Sequence, residues 1–240
     1  MEVLNYSKIE FLPKDPSISV LIRSFAAEDI EEVASLLSKN MPERHPFWIA
    51  MEFTPDSVNQ FFRESMDLYL REGFSLVAVS NQKIIGFISA FDYYNNLLFH
   101  EHFKTMLEKS DPIQLKRIES SSIVYEGISD FKKPEEKGIS MIVRNLVVDQ
   151  QFEGKGLGSL LLGFVNYHPK CLKYPMILIE FAAKSTEIMG LKLGFEILSK
   201  KKWEDMTKDG ERPLMDMSEK LKNKGISLAN DSLALGVLKR

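Results

Sequence analysis

The sequence predicts an α/β (α+β) protein built on a central, twisted, mixed β-sheet with helices on both faces. Apolar, strand-like runs alternate with amphipathic helical segments along the chain, which is typical of a sheet covered by helices. Two such runs flank Asn81-Gln82 as an antiparallel hairpin, and a strand, a glycine-rich loop and a helix follow one another over residues 139–168. The 240 residues, 44% of them hydrophobic, are enough for one substantial core.

Residues 1–17 are predicted to form an N-terminal arm, because Pro13 and Pro16 argue against regular structure there, and residues 18–240 are predicted to form a single domain. The domain is expected to begin with a strand, two helices and the two strands of the hairpin, at residues 18–25, 26–39, 54–73, 74–80 and 83–93. A polar break over residues 40–46 separates the two helices. Thr54-Pro55-Asp56 has the sequence of a helix start, with proline at the first helical position.

A helical insert is predicted between the third and fourth strands, with helices at 99–109 and 112–128 and a charged turn at 132–137. Beyond it we expect strands at 139–149, 174–183, 195–203 and 232–237, with helices at 159–168 and 184–193. Gly194 follows the last of these helices at the position where a helix end favours glycine.

Composition excludes several classes of function. The net charge of −3 comes from intermixed charges, so no nucleic-acid-binding surface is indicated. The single cysteine, Cys171, rules out an internal disulfide framework and suits a reducing compartment. No run approaches the roughly 20 apolar residues of a membrane span. We therefore expect a cytoplasmic protein without nucleic-acid or membrane partners, and the sequence does not indicate an oligomeric state.

The most informative stretch runs from Arg144 to Ser159. An apolar, β-branched run ends at Val148-Asp149, glycines follow at positions 154, 156 and 158, and a helical segment begins behind them. This arrangement directs backbone N–H groups and a helix N-terminus at one point, while glycines permit positive φ and a close ligand. It predicts a cradle for a phosphate or pyrophosphate. The G-x-G-x-G spacing fits neither the dinucleotide fingerprint nor the P-loop.

The stretch resembles motif A of the GNAT superfamily of acyl-CoA N-acyltransferases, whose loop amides bind the pyrophosphate of coenzyme A. The segment 184–195, which ends in Lys-Leu-Gly-Phe, is similar to another GNAT segment, and residues 203–214 resemble the arylalkylamine N-acetyltransferase-like branch. The resemblance covers about residues 18–238. It implies the GNAT fold and direct transfer of an acetyl group, in a ternary complex, from acetyl-CoA to the primary amine of a small arylalkyl compound, with no metal.

The resemblance assigns the cofactor contacts to the strand end and the loop. These residues are Leu146, Val147, Val148, Glu153, Gly154, Lys155, Gly156, Leu157, Gly158 and Ser159. Glu153 stands where the family has Arg or Gln, and a carboxylate there opposes an anionic ligand. Three explanations stay open: Glu153 points to solvent, Lys155 offsets its charge, or the loop is read one turn earlier, through Gln151-x-x-Gly154-x-Gly156.

The proposed chemistry needs a base, because an amine with a pKa of about 10 arrives as an ammonium ion. The arylalkylamine branch has a glutamate immediately before the proline that follows the first helix. That position is His45 here, before Pro46, and Glu43 lies two residues earlier. Both are candidate bases, and the alternative is a solvated loop.

The leaving thiolate benefits from a proton donor, and many GNAT members supply a tyrosine at the position that is Gly190 here. The arylalkylamine branch instead has two hydroxyls, at positions that read Ala182 and Thr186. Thr186 is therefore the candidate acid, and a helix-capping role is the alternative. A backbone N–H of Val147 or Val148 is the candidate donor to the oxyanion that forms during transfer.

Aromatic residues near the expected mouth of the site are candidates to stack on an aryl amine, with core packing as the alternative. They are Phe47, Trp48 and Tyr93, together with Phe53 and Tyr94. Two other functions stay open. One is acetylation of a polyamine or a protein lysine. The other is a non-catalytic acyl-CoA-binding protein, which Glu153 and the missing tyrosine and serine would suit.

Overall fold

The computed structural model describes residues 8–11, 19–50, 52–95, 104–105, 108, 112–121, 123, 136–226 and 232–240. Most of the predicted helix at 99–109, the end of the predicted helix at 112–128 and the start of the turn at 132–137 lie outside these residues.

A single mixed sheet organises the described residues, and this confirms the predicted fold class. Its eight strands are β1 (Lys8–Phe11), β2 (Val20–Ser24), β3 (Leu76–Ser80), β4 (Lys83–Asp92), β5 (Ser140–Val148), β6 (Met176–Phe181), β7 (Glu196–Lys202) and β8 (Ser232–Lys239). Their order across the sheet is β1-β2-β3-β4-β5-β6-β8-β7. Neighbours are antiparallel except β5 and β6, which are parallel and are joined by a helical crossover.

Helices cover both faces of the sheet. They are α1 (Ile30–Arg44), α2 (Pro46–Ala50), α3 (Pro55–Glu72), α4 (Pro112–Ser121), α5 (Leu157–Tyr167), α6 (Lys184–Lys192) and α7 (Met217–Asn223). One face packs a core from α1, α2, α3 and α7 that includes Leu37, Phe62 and Trp203, while the other face packs α5 and α6 around Leu161 and Phe181. Within the described ranges, no helix is both long and apolar enough to cross a bilayer.

The hairpin of β3 and β4 forms around Asn81-Gln82, as predicted, and both turn residues have positive φ, the conformation that a type I′ hairpin turn requires. The sequence did not predict β1, which lies inside the proposed arm and pairs with β2. With β1 counted, the insert that holds α4 lies between β4 and β5. The short helices α2 and α7 were not predicted either.

The predicted polar break at 40–46 is wrong, because α1 continues through Pro42 to Arg44. Leu37 and Met41 are buried on one face of this helix, and that burial outweighs the local cost of a proline near the helix end. The Asn40 side chain donates to the Leu36 carbonyl (2.7 Å), so the amide of this buried residue finds its hydrogen-bond partner within the helix. As a result, the last turn of α1 carries Arg44 towards the end of β5.

Candidate active site

The two parallel strands of the sheet separate halfway along their length. The β5–β6 ladder runs from Ser140–Met176 to Val143–Ile179 and stops there. On its other side, β5 has a bulge, because Arg144 and Asn145 together stand opposite Ser89 of β4. Ser89 Oγ lies 3.1 Å from both the backbone and the side-chain nitrogen of Asn145. The separation, hereafter the splay, leaves the second half of β5 without β6 as its partner.

The register of β4 and β5 decides which backbone groups face the splay. Asp149 N donates to the Ile85 carbonyl (2.9 Å). Hydrogen-bonded and non-hydrogen-bonded pairs alternate along antiparallel strands, so Val147, which is paired with Phe87 of β4, directs its N–H towards the Phe87 carbonyl. The N–H and C=O groups of Leu146 and Val148 therefore point the other way, towards the splay. Of the two predicted oxyanion donors, this geometry favours Val148.

Two of the three glycines in the loop have the open, positive-φ geometry that was predicted for it. Gly154 and Gly156 have φ of 71° and 86°, and a Cβ on either would meet nothing within 4 Å. Gly156 is the N-cap of α5, so it has no side chain to accept from the N–H groups of the first helical turn. Gly158 instead faces β5 and α6, with Met189 Sδ 3.7 Å from its Cβ position. The loop thus presents open space and backbone donors, a combination that fits an anionic group such as a pyrophosphate.

Arg44 accounts for the unexpected acid in the loop. Its guanidinium forms an ion pair with the half-exposed Glu153 carboxylate, and it also contacts Asn40 Oδ1 (2.9 Å) and the Val148 carbonyl (3.4 Å). Partial burial lowers the pKa of Arg44, and the nearby Asp149 opposes that effect. Lys155 Nζ lies 5.4 Å from the centroid of the Phe152 ring. A cation supplied by α1 therefore offsets Glu153, which none of the three predicted explanations included.

His45 lies between α1 and α2, and its Nδ1 is buried without a hydrogen-bond partner. Burial lowers the pKa of His45 to about 4, and the charge of Arg144 acts in the same direction. The imidazole is therefore neutral at physiological pH and able to accept a proton. Glu43, the other predicted base, is exposed on the last turn of α1.

Arg144 and Glu180 form an ion pair across the splay (Nη1–Oε2 2.5 Å), one residue beyond the last backbone pair of β5 and β6. Beside them, Asn145 Nδ2 lies 3.1 Å from the hydroxyl of Tyr69 on α3. Burial raises the pKa of Tyr93, and Glu180 raises it further while Arg144 opposes the rise. Charged and polar side chains from β5, β6, α3 and the end of β4 therefore meet on one face of the splay.

Thr186, the predicted acid, lies in the first turn of α6, where its hydroxyl donates to the Ala183 carbonyl (2.7 Å). A catalytic role for Thr186 stays a prediction. Gly190, where many GNAT members have tyrosine, lies against Phe181 of β6. Any Cβ at Gly190 would overlap that ring, so Phe181 and a side chain at position 190 exclude each other.

The predicted aromatic contacts occupy different environments. Trp48 is 8% exposed and packs against Phe53, Phe61 and Phe62, so it belongs to the core beneath α2. Phe47 is half-buried, with its ring 6.0 Å from that of Trp203. Tyr93 is buried beside the Arg144–Glu180 pair. Contact of these side chains with an amine stays a prediction, and Tyr93 lies beside the charges of the splay.

Sequence reasoning missed Arg44, Arg144 and Glu180. One signal was available, because Arg144-Asn145 interrupts an otherwise apolar strand, and two successive polar residues there mark the bulge. Within the part of the chain that the structure describes, no group of three or more His, Cys, Asp or Glu side chains is placed to hold a metal ion.

Solved structures similar to this chain include N-acetyltransferases and a condensation domain. The chain is similar to arylalkylamine N-acetyltransferase 2 from Aedes aegypti, with a TM-score of 0.71 at 16% identity over 92% of this chain and 98% of that one. It is similar to the Drosophila melanogaster polyamine N-acetyltransferase that forms N-acetylagmatine, with a TM-score of 0.66 at 16% identity over 92% of this chain and 100% of that one. It is also similar to the C-terminal condensation domain of Ebony in complex with β-alanyl-dopamine, with a TM-score of 0.66 at 10% identity over 93% of this chain and 100% of that one.

Neither a family model nor a curated protein sequence matches the chain. At the identities given, the structural likeness establishes the fold, so the chain has the fold of the GNAT N-acetyltransferases.

Proposed function

We propose that the protein is an acetyl-CoA-dependent N-acetyltransferase that acts on the primary amine of a small, arylalkyl compound. The observation that carries the proposal is the position of the open glycine loop, at the N-terminus of α5 and beside the splay of β5 and β6. An anion in the loop and a thioester in the splay would be parts of one extended ligand. The similarity in fold to N-acetyltransferases supports the same reaction.

In this proposal the loop holds the pyrophosphate of acetyl-CoA. Backbone N–H groups at the start of α5 donate to it, and Arg44 supplies a positive charge from α1. The pantetheine arm carries two amides and would run along β5, where Leu146 and Val148 present backbone groups that β6 does not pair. Buried backbone donors and acceptors need partners, and the amides of the ligand provide them.

Transfer requires one proton to leave the ammonium group before its nitrogen attacks the acetyl carbonyl. His45 takes this proton, directly or through water, because its imidazole is neutral and its Nδ1 is unpaired. A C–N bond then forms, the oxyanion accepts a hydrogen bond from the N–H of Val148, and the C–S bond breaks. The nitrogen still carries one proton more than the amide product, and it loses that proton as the C–S bond breaks. The thiolate leaves with the bonding electron pair and gains a proton, for which Thr186 is the proposed donor, and the Thr186 hydroxyl regains a proton from the nitrogen.

An arylalkyl acceptor fits this site better than a polyamine does. Glu180 and Arg144 balance each other's charge at the splay, whereas a polyamine with several charges would require excess carboxylates. The half-buried Phe47 packs against the core on the side of the sheet covered by α1–α3, which contains the buried Trp203, and it is the proposed contact for the aryl group. The similar structures include both an arylalkylamine and a polyamine N-acetyltransferase, so the acceptor class has to be measured.

The test is an assay of thiol release from acetyl-CoA with a panel of tryptamine, tyramine, agmatine, spermidine and a lysine peptide. The expected result is turnover on tryptamine or tyramine, with less turnover on the other amines. A preference for agmatine, spermidine or the peptide would show that the acceptor is a polyamine-like compound or a protein lysine and not an arylalkyl amine. Calorimetry with acetyl-CoA is run in parallel. Binding without any turnover would identify a non-catalytic acyl-CoA-binding protein, a rival favoured by the hydrogen bond that engages the Thr186 hydroxyl. If the protein does not bind acetyl-CoA, both the N-acetyltransferase hypothesis and the acyl-CoA-binding hypothesis are refuted.

A further inference from the structure

The Arg144–Glu180 ion pair occupies a place where the sheet would otherwise continue. Val143 pairs with Ile179, and the next two residues in register are Arg144 and Glu180, which meet through their side chains. Their side chains are 21% and 25% exposed. Charges at this depth lose much of their hydration, and an apolar pair of similar volume would hold the strands at least as well. The stability of the sheet alone therefore does not explain this pair.

The bulge explains why these charges reach the face of the sheet covered by α1 and α3. Ile142 and Val147 both belong to the core on that face, and the extra residue between them lets Arg144 and Asn145 turn towards it together. The contact between Asn145 and Tyr69 of α3 places the bulge on this side. Leu178 of β6 belongs to the same core, and alternation along β6 puts Glu180 there as well.

His45 is close enough to this pair for the charge of Arg144 to lower its pKa. The charge that acts on His45 from the sheet is thus that of Arg144, whose ion-pair partner is Glu180, and Arg144 also acts on the buried phenols of Tyr69 and Tyr93. Glu43 and Arg44 lie on the turn of α1 that precedes His45. Arg44 is engaged by Glu153 and Glu43 is exposed. Arg144 and Glu180 are therefore the charges best placed to act on the imidazole and on any cation that approaches it.

We propose that Glu180 binds the ammonium group of the acceptor amine and that Arg144 is the positioning residue that orients Glu180 for this contact. The inference rests on the proposed function. A carboxylate offers two oxygens and about four acceptor directions, so it can hold a guanidinium and an ammonium ion together. Arg144 also lowers the pKa of His45, so a change in the charge of the ion pair should shift the pH range over which the imidazole is neutral.

The first test measures ligand binding and needs no turnover. The full chain, saturated with coenzyme A, is titrated with tryptamine and with 3-ethylindole, which has the same aryl group but no amine. Glu180→Gln is expected to weaken tryptamine binding about tenfold or more, the loss typical of a hydrogen bond between charged groups, and to leave 3-ethylindole unchanged. Glu180→Asp should restore part of the affinity. Equal losses of affinity for both ligands would show a structural defect and would overturn the inference. The inference would also be overturned if Glu180→Gln left tryptamine binding unchanged, or if the unmodified protein did not bind tryptamine.

The second test uses the pH dependence of kcat/KM for the amine. Arg144→Gln removes a cation near His45, so the acid limb should move to higher pH, whereas Glu180→Gln removes an anion and should move it to lower pH. The KM for acetyl-CoA should change in neither variant. Shifts in the same direction, or losses of kcat without a shift, would overturn the inference. Turnover by the unmodified protein combined with such a result would refute the role of Glu180 and leave the proposed reaction standing.

Discussion

Two pairs of glycines in this protein serve opposite purposes. Gly154 and Gly156 adopt positive φ in the loop, and the volume that a Cβ would take is open. Gly190 of α6 and Gly236 of β8 both lie against the Phe181 ring, and a Cβ on either would overlap it. Both pairs need glycine. The space beside Gly154 and Gly156 is open to a ligand, whereas the space beside Gly190 and Gly236 is filled by the Phe181 ring. Substitutions should therefore affect binding at one pair and stability at the other.

The largest effect is expected for Gly156→Asp. A side chain would enter the cradle, and a carboxylate would repel the phosphates, so affinity for acetyl-CoA should fall by about a hundredfold or more. Positive φ adds strain to any substitution, and Gly225→Asp is the matched control, because Gly225 also has positive φ (71°) and open space but follows α7. Calorimetry should show lost affinity only in Gly156→Asp, with similar small losses of stability in both. Unchanged affinity would mean that the loop is not the cradle.

The second prediction concerns the glycines that pack on Phe181. Gly190→Ala should destabilise the protein by about 1–3 kcal/mol, because the added methyl group forces the Phe181 ring to move in a closed core. Gly163→Ala on α5 is the control, since its Cβ would lie 3.9 Å from Leu193, and alanine should add about 0.5–1 kcal/mol of helix stability there. Urea unfolding measures both. Pairing Gly190→Ala with Phe181→Leu should recover part of the loss, and a Gly190→Ala variant as stable as the parent would contradict the packing argument.

The glycine comparison also explains how much of the molecule the sequence could predict. The glycine loop and the strands and helices around it follow from local patterns of apolar residues and glycine, and the structure confirms them. From the sequence, Gly190 could be interpreted only as the absence of a tyrosine. The glycine is needed because position 190 lies against the Phe181 ring of β6, and that contact joins residues of different elements. The roles of Arg44 and Glu180 likewise depend on ion pairs between residues far apart in the chain. Local patterns therefore predicted the cradle but not the charges around it.

The smallest effect is expected for Glu153→Gln, which tests how the cradle balances its charges. Removing a half-exposed carboxylate beside the phosphate site frees Arg44 to face the ligand, so the Kd for acetyl-CoA should fall about two- to fivefold at low salt and less at high salt. Glu219→Gln, which removes an exposed carboxylate on α7, is the control for net charge and should change nothing. Arg44→Gln should weaken binding instead, because it removes the cation and keeps the acid. If Glu153→Gln weakened binding as much as Arg44→Gln does, the carboxylate would be needed to hold the guanidinium in place, and the ion pair rather than Arg44 alone would be the unit that recognises the phosphates.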